Sequence, residues 1–373
     1  MFLNVYAGKK ILVTGHTGFK GSWLVTWLHM MGANVVGVSD GVPTVPSNFE
    51  ESSLGSGAKI KNYFLDIRNR NQLLDVFAKE QPEFVFHLAA QALVRKSYSQ
   101  PVETFETNII GTLNVLEAVR HTSSIRALVL ITSDKAYKNV EWVWGYRETD
   151  ALGGDDPYSA SKGCAEIVAH SYFKSFFSEN RNLAYATARA GNVIGGGDWA
   201  EDRIIPDCVR AWSTDKTVHI RSPKATRPWQ LVLEPLSGYL WLGALLYKEA
   251  MNQAGNFLPC RGESFNFGPS SDAVHTVEDV VTSLKSYWEG FSSAVVQNNK
   301  PSMSECTLLK LSCDKALAYI KWRATLNFDE TLQLTAEWYR DFYKKIDKAD
   351  SLTEKQIRFY CTKARERGAV WAN

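Results

Sequence analysis

Tyr158 and Lys162 stand four residues apart in the run Pro157-Tyr158-Ser159-Ala160-Ser161-Lys162. On a helix opened by that proline the two side chains share one face. A phenol titrates near about 10 and is a poor base at neutral pH. A neighbouring ammonium favours the phenolate, which can then take the proton of an alcohol as its carbon gives up a hydride. Such Tyr/Lys pairs arise often by chance, so the context decides. Ser133 is part of that context. It follows an apolar run, 128–132, and its hydroxyl is placed to donate to the same oxygen.

A hydride needs a carrier. Near the start of the chain, Thr14-Gly15-His16-Thr17-Gly18-Phe19-Lys20-Gly21 follows an apolar strand pattern and opens a helical one. Gly15 permits a tight turn, Gly18 lets backbone approach a pyrophosphate, and Gly21 lets the helix pack on the sheet. The free N–H groups of the helix start then face the anion. Asp40 falls at the end of the next strand, where a carboxylate accepts from a ribose hydroxyl. From Gly32 through Ala58 there is no Lys or Arg. A 2′-phosphate would meet a carboxylate and no cation, so the pattern predicts NAD over NADP. Asp66 ends the third strand, placed either to reach an adenine amino group or to cap the next helix.

The elements that must hold these residues alternate. Strands are expected at 10–14, 35–38, 60–65, 84–88, 128–132 and 183–190, with helices at 20–31, 72–79 and 102–121. Continuous apolar strands separated by helices predict an α/β fold: a doubly wound parallel sheet covered on both faces. Residues 43–57 are rich in Pro, Ser and Gly and read as a surface loop. A helix at 234–249 and a strand at 264–267 are expected to return to the sheet. We therefore expect a dinucleotide domain at 1–190, with 229–268 rejoining it. A smaller, mainly helical substrate lobe takes 191–228 and 269–373, with a last helix at 352–365.

The chain has 373 residues and a formal net charge of +2. That balance argues against a nucleic-acid or membrane-surface partner. The start, 1–10, has no long apolar core and does not read as a signal peptide. The most apolar stretch, 241–246, is too short to span a bilayer and meets Lys248 and Glu249 soon after. Six scattered cysteines without a C-x-x-C pair read as reduced thiols in the cytoplasm, not a disulfide or metal framework.

Across nearly its whole length the chain resembles the extended short-chain dehydrogenase/reductase family. The resemblance rests on Thr14–Gly21, on His87-Leu88-Ala89-Ala90, on Thr107-Asn108 with Gly111-Thr112, and on Tyr158 and Lys162. It implies a nicotinamide-binding Rossmann domain with a small nucleotide-sugar lobe. NAD contacts are implied at Gly15, Thr17, Gly18, Phe19, Lys20, Gly21, Asp40, Asp66, Ile67, Leu88, Ala89, Ala90, Asn108, Thr132, Tyr158 and Lys162. Asn108 matches an asparagine that stabilises the active-site helix. A homodimer through a four-helix bundle is also implied, with a tetramer left open.

The run Thr132-Ser133-Asp134-Lys135-Ala136-Tyr137 narrows the reaction. Epimerases of this family carry small residues at the two central positions, and most dehydratases carry Asp then Glu. Asp followed by Lys resembles the 4,6-dehydratase branch that acts on CDP-glucose, which supplies deoxysugars of the lipopolysaccharide O-antigen kind. Asp134 is then the candidate acid for a departing C6 hydroxyl, and must be held protonated. Lys135 is either the base at C5 or a charged stabiliser of the enolate. Arg203, Arg210, Lys216, Arg221, Lys224 and Arg227 outweigh Asp207 and Asp215 over 203–227, as a diphosphate site requires. Asn192, Arg203, Arg221 and Arg227 are candidates for the diphosphate, Ser97 and Tyr98 for the hexose. Trp199 and Trp229 read as core aromatics. Leu231 stands where the resemblance leads us to expect His. A 4-epimerase and a non-catalytic NAD-binding regulator remain the alternatives.

Overall fold

The computed structural model describes residues 1–56, 59–220, 222–253, 255, 257–269, 275–288, 295–297 and 308–373, with 295–297 as backbone. Seven parallel strands form its central sheet. They are β1 (Lys10–Thr14), β2 (Asn34–Ser39), β3 (Lys61–Phe64), β4 (Phe84–His87), β5 (Ala127–Ile131), β6 (Ala184–Ala190) and a seventh, Ser264–Phe267. The spatial order is seventh strand, β6, β5, β4, β1, β2, β3. Alternate residues feed two cores. Ile11, Val13, Phe84 and Phe86 enter one face, while Leu12, Val36, Val85 and Leu128 enter the other. Burial on both faces is why β1, β4 and β5 read as apolar runs.

Register places the site. Thr14 lies beside both Val38 and His87, and Leu130 beside His87. The chain therefore leaves β1, β2, β4, β5 and β6 along one edge, at Gly15, Asp40, Leu88, Thr132 and Gly191. Strand order reverses between β1 and β4, where ligands enter folds of this kind.

Three segments differ from expectation. Residues 43–57 carry a short helix, Asn48–Glu51, capped by Ser47. Its four residues bury only Asn48, which donates to Ser22 Oγ at 3.0 Å, and Phe49, which joins the core, too short a run to show an apolar period. The helix expected at 102–121 is helical throughout but widens into a π turn over Glu106–Gly111 between Pro101–Phe105 and Thr112–Arg120. Asn108 lies buried in that π turn, a distortion often found at functional sites.

The third difference concerns 269–373. Helices Val277–Tyr287 and Phe328–Tyr343 lie on the substrate side, while Asp314–Ile320 packs on the seventh strand, Tyr319 against Phe265. The last helix, Ala349–Glu366, instead packs on the dinucleotide half: Tyr360 and Trp371 meet Trp27 of the helix Phe19–Met30. Glu234 ties this region to the long helix Leu233–Ala250. Its carboxyl accepts from Thr325 N (2.8 Å), Leu326 N (2.6 Å) and Tyr360 Oη (2.8 Å). Among the described residues no helix is long and apolar enough to cross a membrane. The five described cysteines are free, and Cys306 lies outside the described residues.

Candidate active site

The cradle is built from backbone. Gly15 has φ +73°, and a Cβ there would stand 2.7 Å from Ala89 N. A Cβ on Gly21 would stand 2.0 Å from Gly15 O. Gly18 differs: its nearest neighbour would be Gly15 O at 3.4 Å. It begins the helix Phe19–Met30 with no side-chain cap, so the first-turn N–H groups are left for an anion. The residues present thus fit a dinucleotide pyrophosphate.

Around the cradle the polar side chains are largely committed to the fold. Thr17 Oγ1 donates to Gly41 O at 2.7 Å. His16 lies between Ser39 Oγ and Asn62 Oδ1, both at 3.0 Å, and burial pushes it down to about 4. It therefore ties the glycine loop to β2 and β3 as a neutral ring, a role the glycine motif did not disclose. Asp40 is exposed just beyond β2. Asp66 does not cap the next helix. Asn69 does, while Asp66 Oδ2 binds Arg68 at 2.6 and 2.8 Å. Burial works against the Asp66 carboxylate, but Arg68 holds it below its usual range. Ile67 packs under Gly111. Leu88, Ala89 and Ala90 are half-buried at the end of β4, where Ala89 N donates to Thr14 Oγ1. Asn108 spends its amide on the protein, accepting from Gln91 N (2.8 Å) and donating to Ser161 Oγ (2.8 Å). It positions the Tyr158 helix without pointing at a ligand.

Beside the cradle lies a cavity of about 690 Å³. Phe19, Lys20, Ser133, Asp134, Lys135 and Tyr158 stand in its wall. Burial, with Arg203 nearby, pushes Lys20 down to about 8. Tyr158 belongs to the helix Pro157–Tyr172, whose start is capped by Asp156. Burial pushes its phenol up to about 12, against a hydrogen bond with Ser133. Asp134 raises that phenol further and Arg203 draws it down. Lys162 is buried one turn along, outside the cavity wall, and makes no hydrogen bond to a described residue. Burial pushes it down to about 8, with Lys20 adding to the effect and Glu166 opposing it.

Asp134 opens a single 3-10 turn, Asp134–Ala136, after β5. Ser133 caps the turn at Lys135 N and donates to Asp134 Oδ1 at 3.0 Å. Asp134 Oδ2 is buried without a hydrogen-bond partner among the described residues. A Cβ on Gly191 would stand 3.1 Å from that oxygen, so glycine there leaves room beside it. Burial pushes the Asp134 carboxyl up, more than Lys135 and Ser133 draw it down. That is the direction an acid requires. The hydroxyl of Thr132 is taken by Glu166 at 2.5 Å.

Of the substrate candidates, Tyr98, Asn192, Arg203 and Arg227 stand in the cavity wall. Ser97 does not. It is fully buried and donates to Val94 O within its own helix, Val94–Ser99. Adjacent helix positions face about 100° apart, so Tyr98 reaches the cavity while Ser97 turns inward. Arg221 lies outside the described residues. Arg203 also binds Asp198 at 2.8 Å. Arg95 and Lys96 join the wall; only their place beside Tyr98 could have signalled them. Leu231 is fully buried beside Ile194 and away from the cavity, so its departure from His falls on a packing position. Trp199 and Trp229 are both in the core, and Trp229 also touches the cavity.

A family model described as GDP-mannose 4,6 dehydratase matches residues 12–335. The chain belongs to that family. It is 45% identical to the CDP-glucose 4,6-dehydratase of Salmonella typhimurium, over 92% of this chain and 94% of that protein. Among solved structures, the dTDP-glucose 4,6-dehydratase of Bacillus anthracis in complex with NAD aligns with a TM-score of 0.73. It covers 91% of this chain and 100% of that one at 21% identity, which speaks for the fold. The Thermus thermophilus UDP-glucose 4-epimerase complex with NAD aligns at 0.71, with 25% identity, over 89% of this chain and 99% of that one.

Proposed function

We propose that the chain is an NAD-dependent hydro-lyase converting CDP-D-glucose into CDP-4-keto-6-deoxy-D-glucose and water. NAD held in the cradle would supply a hydride acceptor for C4 and a hydride donor for C6, so the overall conversion is redox-neutral. Gly15, Gly18 and Gly21 shape its pyrophosphate site, Asp40 takes the adenosine ribose, and Lys162 the nicotinamide ribose. Tyr158 Oη removes the proton of the C4 hydroxyl, and Ser133, turning its one proton from Asp134 Oδ1, donates to the same oxygen. The C4 ketone makes the C5 proton acidic. Lys135 takes that proton or steadies the enolate. Asp134 then protonates the C6 hydroxyl, which leaves as water. Asn192, Arg203 and Arg227 meet the diphosphate, and Tyr98 the hexose.

The observation that carries this reading is Asp134, a carboxyl raised by burial with one oxygen free, in a cavity shared with Tyr158. A 4-epimerase needs no such acid. The cytosine preference rests on the 45% identical relative. Incubation with CDP-, UDP- and dTDP-glucose, followed by mass spectrometry, tests it. Loss of water from the CDP sugar supports the reading. A C4 epimer that keeps its water supports the epimerase, and bound NAD without turnover the regulator.

A homodimer is supported by apolar side chains left open on the helices that would pair. Val102 is 69%, Ile110 46% and Ile167 60% exposed. A tetramer remains open to sedimentation analysis. Free thiols support a cytoplasmic location, and the product's 4-ketone suits deoxysugar biosynthesis.

A further inference from the structure

Behind the cavity lies a charged pair that the reaction does not touch. The side chains of Glu166 and Arg189 are each only 3% exposed. Every carboxylate oxygen of Glu166 is used. Oε1 accepts from Thr132 Oγ1 at 2.5 Å and Arg189 Nε at 2.8 Å. Oε2 accepts from Thr187 Oγ1 and Arg189 Nη2, both at 3.0 Å. Burial alone would raise Glu166, but Arg189 and the two hydroxyls hold it below the usual carboxylate range, so it is an anion. Arg189 Nη1 then reaches across to Tyr137 Oη at 2.7 Å and Glu148 O at 3.2 Å. Its guanidinium stacks 4.8 Å from the Tyr137 ring centre. Tyr137 Oη donates onward to Asn266 Oδ1 at 2.8 Å.

The partners are what matter. Thr132 immediately precedes Ser133, and Tyr137 immediately follows the turn Asp134–Ala136. Glu166 is one turn beyond Lys162 on the helix that carries Tyr158. Arg189 is on β6, two residues before Gly191. One ion pair thus grips both ends of the turn that bears Asp134 and Lys135, and holds it to the helix that bears Tyr158. These two segments share no stretch of backbone.

We infer that Glu166 and Arg189 are positioning residues that keep the oxidation centre, Tyr158, in register with the elimination centre, Asp134 and Lys135. The inference rests on the function proposed above. A buried ion pair is a poor way to gain stability, because apolar side chains of similar volume often do as well or better. It is a good way to fix direction, because the guanidinium and carboxylate accept partners only at set angles. Small displacements matter, since ~1 Å of misplacement can cost about a hundredfold in rate.

The test separates the two half-reactions. Glu166→Gln strands Arg189 in the interior and can fail to fold. Tyr137→Phe, which frees only one end of the turn, is therefore the deciding variant, and Thr132→Val frees the other. With CDP-glucose in single turnover, quenched samples are analysed for two enzyme-held sugars. One is the oxidised hexose that keeps its C6 oxygen, the other the dehydrated product. In folded Tyr137→Phe we expect dehydration to slow by roughly ten- to a hundredfold. The share held as oxidised, undehydrated sugar should rise above wild type, with NAD affinity by titration unchanged. A share equal to wild type, whatever the fall in overall rate, would reduce the pair to a structural role and overturn the inference. A wild-type protein that eliminates no water would instead sink the proposed function.

Discussion

The cofactor cradle and the substrate wall meet at Tyr158, but they are made of different material. The cradle is backbone: three glycines in one short run, two of them fixed by contacts a Cβ could not survive. The wall is side chain, drawn from segments near residues 20, 95, 134, 192, 203 and 227. Two of its cations are already engaged, Arg203 with Asp198 and Arg95 with Asp202. A backbone site binds its anion without ordering flexible side chains. A side-chain site needs partners to hold each group in place. Damage should therefore be all-or-none in the cradle and graded along the wall.

Gly21→Ala should break this pattern most severely. Its Cβ would lie 2.0 Å from Gly15 O, a backbone atom with nowhere to go. We expect a loss of more than about 4 kcal/mol, read by chemical denaturation. Tyr158→Phe comes next, with kcat reduced by roughly 10²–10⁴ and NAD binding retained by calorimetric titration. Gly18→Ala sharpens the contrast with Gly21. A methyl there finds only Gly15 O at 3.4 Å, so the melting temperature should hold while the added methyl fills the pyrophosphate approach. NAD affinity should fall by about tenfold, some 1.4 kcal/mol.

The pH dependence follows from Lys162, pushed down to about 8. It is an ammonium below that value and loses its proton as pH rises through it. The rate should therefore fall on the alkaline side from about pH 8, and a pH profile that stays flat well above 8 would contradict its role. Asp202→Ala is the mildest case. Asp202 and Arg95 are each 44% exposed, and such surface pairs contribute about 0–1 kcal/mol. KM for the sugar nucleotide should change less than about fivefold.

The same division explains what the sequence disclosed. β1, β4 and β5 were legible because burial on both faces makes them largely apolar. Gly15, Gly18 and Gly21 were legible because their constraint is local. The segment Asn48–Glu51 was not, since one turn with a single buried aromatic, Phe49, sets no period. The inward turn of Ser97 and the pairing of Asp66 with Arg68 depend on tertiary contacts that motif spacing does not encode. The same holds for the phenol of Tyr158. Spacing puts Lys162 one turn away, but burial is the largest influence on the phenol, with Ser133, Asp134 and Arg203 after it. Glu166 and Arg189 lie far apart in sequence and were invisible as a pair until β6 and the Tyr158 helix were brought together.

Deuterium placed at C4 of CDP-glucose tests the central claim most directly. The account predicts that one deuterium appears on the new C6 methyl of the same sugar molecule. Loss of the label to solvent, or its retention at C4 of a dehydrated product, would contradict it.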